Sequence, residues 1–205
     1  MQNPLAAHIL ADIVQAIDDP VFFIHRFVKV GGEPVTLNSQ QLKWLDDIVS
    51  DRAVDLGEDR ASGRTTLLLW YAVWRFVMHS HSNIMYVTSS REMAKWLSAT
   101  FAQMVDTLEI SQFLVQKGTW NQNVRQNKGN GCIVYFSPIT RHLGRGMTIN
   151  SLLIDNLEGM PSALRDELFW NLGPALAHTV GTIITTGTDT EWGTYNITRS
   201  NNPTT

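Results

Sequence analysis

The stretch Glu58-Asp59-Arg60-Ala61-Ser62-Gly63-Arg64-Thr65-Thr66 limits what this chain can fold into more than any other. A strand-like run at 53–56 precedes it, and a long apolar run at 67–78 follows it. Strand, Gly-containing loop, Thr pair and helix is the order of a phosphate-binding loop. The start of a helix carries unpaired N–H groups and a partial positive charge, so it attracts phosphate oxygens. A hydroxyl just after the loop, here Thr65, suits Mg²⁺. The full pattern G-x-x-x-x-G-K-[ST] would put Gly at 58 and Lys at 64. This chain has Glu58 and Arg64 there. Glu58 and Asp59 would repel phosphates unless Arg60, Arg64 and a cation offset them.

The rest of the chain supplies an α/β frame for such a loop. It has 205 residues, 43% apolar and 17% charged, enough for one well-buried domain. A net charge of -3 argues against nucleic-acid binding driven by overall charge and leaves room for a local basic patch. The single cysteine, Cys132, excludes an intrachain disulfide. No apolar run approaches the ~18 residues of a membrane span, and the start of the sequence lacks the pattern of a signal peptide.

Apolar spacing predicts helices over 4–17, 21–30, 40–49, 65–79, 90–108 and 162–172. Asn38 or Ser39 is the expected cap of the third, and Ser89-x-x-Glu92 reads as a capping box for the fifth. Strands are expected at 52–56, 83–88, 131–137, 151–154 and 179–186. The polar stretch 117–130 reads as a surface loop or a weak strand pair, and 110–115 is ambiguous. Alternating strands and helices imply a mainly parallel sheet with helices on its faces. Residues 1–50 are read as an N-terminal helical segment of the same domain, 51–198 as the core and 199–205 as a tail or linker. Trp44, Trp70, Trp74 and Trp96 are expected in the core, and His79-x-His81 on the surface.

A phosphate loop that works with Mg²⁺ needs a second acidic motif, an apolar strand ending in Asp. Leu152-Leu153-Ile154-Asp155 has that form. With these motifs in place, the chain resembles the ATPase domain of the large terminase subunit of tailed phages, the DNA-packaging motor. Asp19-Pro20-Val21-Phe22-Phe23 with Phe27-Val28-Lys29-Val30 is similar to that family's N-terminal signature. Residues 37–45 resemble its adenine-recognition segment, with Gln41 the closer match for the adenine reader and Gln40 the alternative. Residues 60–66 resemble its divergent Walker A. Gly144-Arg145-Gly146-Met147-Thr148 resembles the segment before Walker B, and 152–156 Walker B itself. Ile183-Ile184-Thr185-Thr186-Gly187-Thr188 resembles the coupling motif.

The resemblance implies a P-loop NTPase fold of the ASCE type and an ATPase that uses ATP and Mg²⁺. Nucleotide would be held by Gln41 or Gln40, Arg60, Ser62, Gly63, Arg64, Thr65 and Thr66, and the metal by Thr65 and Asp155. Thr185, Thr186 and Gly187 would couple hydrolysis to motion. Arg145 and Arg141 are candidates for an arginine finger. The implied partners are double-stranded DNA, a portal, a small terminase subunit and further copies in a ring, in the cytoplasm of an infected cell and transiently on the procapsid. Two departures bear on chemistry. Arg64 replaces the usual Lys, and Arg60 could supply the working charge earlier in the loop. Asn156 replaces the Glu that normally follows the Walker B Asp. An amide orients water but takes no proton at neutral pH. Glu158 is the other candidate for the catalytic carboxylate: it would share a face with Asn156 if the strand continued, roughly 6–7 Å along, and a local turn could bring it in. The alternative reading is a catalytically degenerate nucleotide-binding or assembly module with the same fold.

Overall fold

The computed structural model describes residues 4–50, 53–57, 62–177 and 179–187. Helices α1 (Pro4–Asp18), α2 (Pro20–Phe27) and α3 (Ser39–Ser50) come first, with a short hairpin, β1 (Lys29–Val30) and β2 (Glu33–Pro34), between the last two. Then follow β3 (Ala53–Asp55), α4 (Arg64–Met78), β4 (Asn83–Thr88), α5 (Arg91–Thr107) and the single turn α6 (Ser111–Leu114). Strands β5 (Lys117–Trp120), β6 (Val124–Asn127), β7 (Cys132–Pro138) and β8 (Ser151–Ile154) lead to α7 (Ser162–Ala177) and β9 (Thr182–Thr185).

Seven strands form one sheet in the order β3-β9-β8-β4-β7-β6-β5. The pairs from β3 to β7 are parallel, and β6 and β5 add an antiparallel edge. The expected mainly parallel sheet is therefore present, and β9 lies between β3, which precedes the 58–66 stretch, and β8, which ends at Asp155. Period-two alternation sorts the central strands between two apolar layers. Ile84, Tyr86, Val134, Phe136, Leu153 and Ile184 join the layer under α2 to α5. Met85, Val87, Leu152, Ile154 and Ile183 join the layer under α7. Both faces are covered, which explains why β8 reads as an unbroken apolar run.

Helix α4 is the rod of the first layer. Ten of its residues are buried, among them Trp70 and Trp74, and the Trp74 indole donates to the Ala16 carbonyl at 2.8 Å, joining α1 to α4. Helix α2 ends at Phe27 rather than 30 because Val28 is extended and the Gly31-Gly32 turn pairs β1 with β2. Helix α5 is capped by Ser90, which accepts from the Met93 N–H, and not by Ser89. Helix α7 runs five residues past 172, through Pro174. Pro174 has no N–H to give the preceding turn, but Ala175 and Leu176 beyond it are buried in the α7 layer. Trp96 is 55% exposed, against expectation, because it lies on the outer side of α5.

His79 also departs from the surface reading. Its ring packs edge-on against Trp74 at 4.5 Å, and Nδ1 faces Arg75 Nη1 at 3.4 Å. An arginine can only donate, so Nδ1 is the accepting nitrogen. Burial, and then the Arg75 charge, push the imidazole down to about 4, with Asp18 pulling weakly the other way. A depressed histidine stabilises the fold fully above its ordinary value of 6.5, and that contribution is lost as pH falls toward about 4. Denaturant titrations should therefore show the stability gap between wild type and His79→Gln shrinking from pH 7.5 to pH 4.5. A gap independent of pH would contradict the half-buried, neutral imidazole.

Candidate functional site

Because β3, β9, β8 and β4 are parallel, their C-terminal ends open at one edge, where ligands bind in open α/β sheets. The phosphate-loop stretch follows β3, Thr186-Gly187 follows β9, Asp155 follows β8 and Ser89 follows β4. Arg64, Thr65, Ser89, Met93, Asp155, Asn156 and Thr186 line a cleft of about 260 Å³ there.

The loop reaches α4 through Gly63, which caps the helix in the left-handed region at φ 83. A Cβ at Gly63 would also meet Gln41 Nε2 at 2.8 Å, so the position needs glycine twice over. Gln41 is held there by a reciprocal cap. Asn38 Oδ1 accepts from the Gln41 N–H at 2.9 Å, and Gln41 Oε1 accepts from the Asn38 N–H at 3.1 Å. Gln41 is buried against the loop with its acceptor already in use, whereas Gln40 is exposed. Ser62 and Thr66 flank this turn, half-buried.

Asp155 is the centre of the site. It is 5% exposed. Its Oδ1 accepts from the Thr65 hydroxyl at 3.0 Å and from the Thr186 hydroxyl at 2.9 Å. Thr186 Oγ1 in turn accepts from the Asn156 N–H at 2.8 Å. Burial pushes the carboxyl above the ordinary aspartate range. Hydrogen bonds from Thr186 and Thr65, the Arg64 charge and the Tyr86 hydroxyl oppose that push without cancelling it. A partly desolvated carboxylate beside a hydroxyl is a hard oxygen pair, the donor type that Mg²⁺ prefers.

The β9 end is laced to its neighbours by backbone. Gly187 N–H donates to the Gly57 carbonyl at 2.9 Å, and the Glu158 and Leu157 N–H groups donate to the Gly187 and Thr186 carbonyls. Thr185 Oγ1 donates to Asp55 Oδ1 at 3.2 Å. The three expected coupling residues therefore touch both the loop-bearing strand and the acidic turn.

Other expected residues stand apart. Strand β8 stops at Ile154, and Asn156 takes the left-handed conformation at φ 58, ψ 57. The strand therefore does not continue, and Glu158 sits exposed in the 3-10 turn Leu157–Gly159, outside the cleft lining. Arg141 pairs with Glu167 at 3.3 Å and Arg145 Nε donates to Asn171 Oδ1 at 3.3 Å, which fastens their loop to α7, and neither lines this cleft. Arg60, with Glu58 and Asp59, lies outside the described residues. Ser89, Met93 and Tyr86 belong to the site without being singled out for it by the sequence. Ser89 carries a usable signal, since it directly follows a buried parallel strand.

The sequence matches no family model, and no curated protein resembles it closely enough to register. Solved structures do. The large terminase of bacteriophage HK97 superposes with a TM-score of 0.68 at 15% identity, over 83% of this chain and 37% of that one. The large terminase ATPase domain of Thermus phage P74-26 gives 0.62 at 14% identity, over 77% and 68%. The large terminase of a thermophilic bacteriophage, solved in complex with ATP-gamma-S, gives 0.52 at 13% identity, over 74% and 38%. The chain thus spans little more than a third of the HK97 protein, and at these identities the likeness is one of fold. The fold of this chain is that of the ATPase domain of phage large terminases.

Proposed function

We propose that the chain is an ATP-binding and hydrolysing domain of a viral DNA-packaging motor. The observation that carries the reading is the Thr65–Asp155–Thr186 constellation at the start of α4. It joins a hydroxyl, a buried carboxylate and a third strand end around one cleft. The fold likeness to phage large terminases supports the same reading, and one of those proteins was solved with ATP-gamma-S. Arg64 and the N–H groups of the first turn of α4 would face the phosphates. Thr65 and Asp155 fit Mg²⁺, which when bound would neutralise phosphate charge. Asn156 would orient a water at the cleft wall. Under this reading the chain acts on double-stranded DNA together with a portal, a small subunit and further copies of itself, in an infected cell's cytoplasm.

Asn156 favours a second reading. Asp155 is the one carboxylate among the described residues of the cleft lining, and two hydroxyls already hold it. The described lining offers no second carboxylate to accept a proton from water. A chain that binds ATP well and turns it over slowly fits this arrangement, as an assembly or nucleotide-sensing module would.

Calorimetry should find that Arg64→Ala and Asp155→Ala each weaken ATP–Mg²⁺ binding, and unchanged affinity in both would remove the site assignment. Asp155→Asn should separate binding from folding. A carboxyl with a raised value stabilises the fold only when protonated, and that stabilisation is lost as pH rises through its folded value. At pH 7 the neutral amide should therefore melt at or above the wild-type temperature while Mg²⁺-dependent binding is lost. Steady-state assays should show Asn156→Glu raising ATP turnover tenfold or more, about 1.4 kcal/mol of barrier. A wild-type rate already fast and unaffected by that change would remove the slow-turnover reading.

A further inference from the structure

Tyr86 lies in the middle of β4 and is wholly buried, its ring stacked on Phe136 at 5.6 Å and 22°. The other large side chains buried as completely are phenylalanine, isoleucine and leucine, and a phenylalanine would fill the same space. A buried phenol needs a partner for its hydroxyl. Two acceptors are in reach, the Thr65 carbonyl at 3.5 Å and the Asp155 carboxylate. The carbonyl bond is long for an O–H donor, but Thr65 also donates through its own hydroxyl to Asp155 Oδ1 at 3.0 Å. The phenol, Thr65 and the acid therefore meet at one point. The register explains the meeting. Tyr86 pairs with Leu153 across β4 and β8, and the Asp155 N–H donates to the Val87 carbonyl, so the acid turn is pinned above the phenol.

We infer that Tyr86 is a positioning residue for the divalent cation: its hydroxyl, set on the Thr65 carbonyl, braces the Thr65–Asp155 pair from inside the core. Thr65 and Thr186 come from the loop helix and from the end of β9, both of which line the cleft. Tyr86 comes from the rigid centre of the sheet. Through the Thr65 carbonyl it fixes the first turn of α4, and with it the Thr65–Asp155 pair, relative to the core. Groups that orient a metal ligand from behind commonly matter about tenfold to a hundredfold in metal affinity. The inference rests on the reading of Asp155 as a cation ligand.

Tyr86→Phe tests it in the full chain. Binding of ATP is measured by calorimetry in EDTA and then across a Mg²⁺ titration, in the wild type, in Tyr86→Phe, in Asp155→Asn and in the double variant. The expected result is metal-free affinity within about twofold of wild type and a Mg²⁺ midpoint raised about tenfold. The same change should do nothing further in the Asp155→Asn background, because the group it braces is gone. A Mg²⁺ midpoint unchanged in Tyr86→Phe overturns the inference, as does an equal loss in both backgrounds, which marks a packing role only. A wild type that binds ATP without any response to Mg²⁺ overturns the reading of Asp155 itself, a failure visible before any variant is made. If Tyr86→Phe does not fold, the wild type labelled with ¹³C at tyrosine Cζ serves instead. The Tyr86 resonance should move when Mg²⁺ is added to the ATP-bound chain, and a resonance that stays fixed overturns the inference.

Discussion

The structure depends most on the hydrogen bonds that converge on the Asp155 carboxylate. Thr65 brings the start of α4, Thr186 brings the end of β9, and the acid itself ends β8. Three segments far apart in sequence are thus referred to one oxygen pair. The short bonds run from hydroxyls, and the Arg64 charge offsets burial only in part. Burial of a carboxylate whose charge is incompletely balanced is unfavourable, and the raised carboxyl records that. Under the proposed function, a hard divalent ion would supply the missing charge.

The buried acid is tolerable because the surrounding core is strong. Helix α4 sits on the central strands with Leu67, Leu68, Ala72 and Phe76 fully buried, and the α7 layer closes the opposite face. The sheet thereby offers a stiff base on one side of its C-terminal edge. On the other side lie short loops whose backbone bonds, such as Gly187 to Gly57, cross from strand to strand. A displacement of the phosphate loop would be felt at Gly57, Gly187 and the Glu158 turn before it reached the core. Under the proposed function, stiff strands and laced loops would give Thr185, Thr186 and Gly187 a physical route between the loop and the acid.

Much of this is legible from residue order. Continuous apolar runs mark the doubly covered strands, and the Gly63-Arg64-Thr65 junction and Leu152-Leu153-Ile154-Asp155 name both halves of the site. The misses share a cause, namely tertiary contacts that leave no local pattern. Ser90 rather than Ser89 caps α5, although both have the right chemistry, because β4 runs on to Thr88 and sets where the chain turns. The polar 117–130 stretch is not a miss but an open choice between a surface loop and a weak strand pair, and the pair forms because β7 offers it an open edge. Trp96 reads as core since helical spacing alone does not say which side of a helix faces the sheet. Tyr86 reads as one more strand residue, and only the β4–β8 register places it under Asp155.

At Asn156, backbone geometry and chemistry compete for one position. Its left-handed conformation costs most side chains about 1–2 kcal/mol, and Asn is among the residues that adopt it most readily. Two neighbours are shaped around it. A Cβ on Gly187 would come within 3.3 Å of the Asn156 Cα, and a Cβ on Gly159 would meet the Asn156 amide nitrogen at 2.5 Å. The side chain therefore folds toward its own turn as well as lining the cleft. A glutamate that holds the same left-handed backbone, at that cost, keeps the Thr186–Asn156 N–H bond that feeds Asp155, because the donor is main chain. The amide at 156 is thus consistent with the turn's own needs. The backbone conformation at 156, more than its side chain, is what keeps Thr186 on the acid.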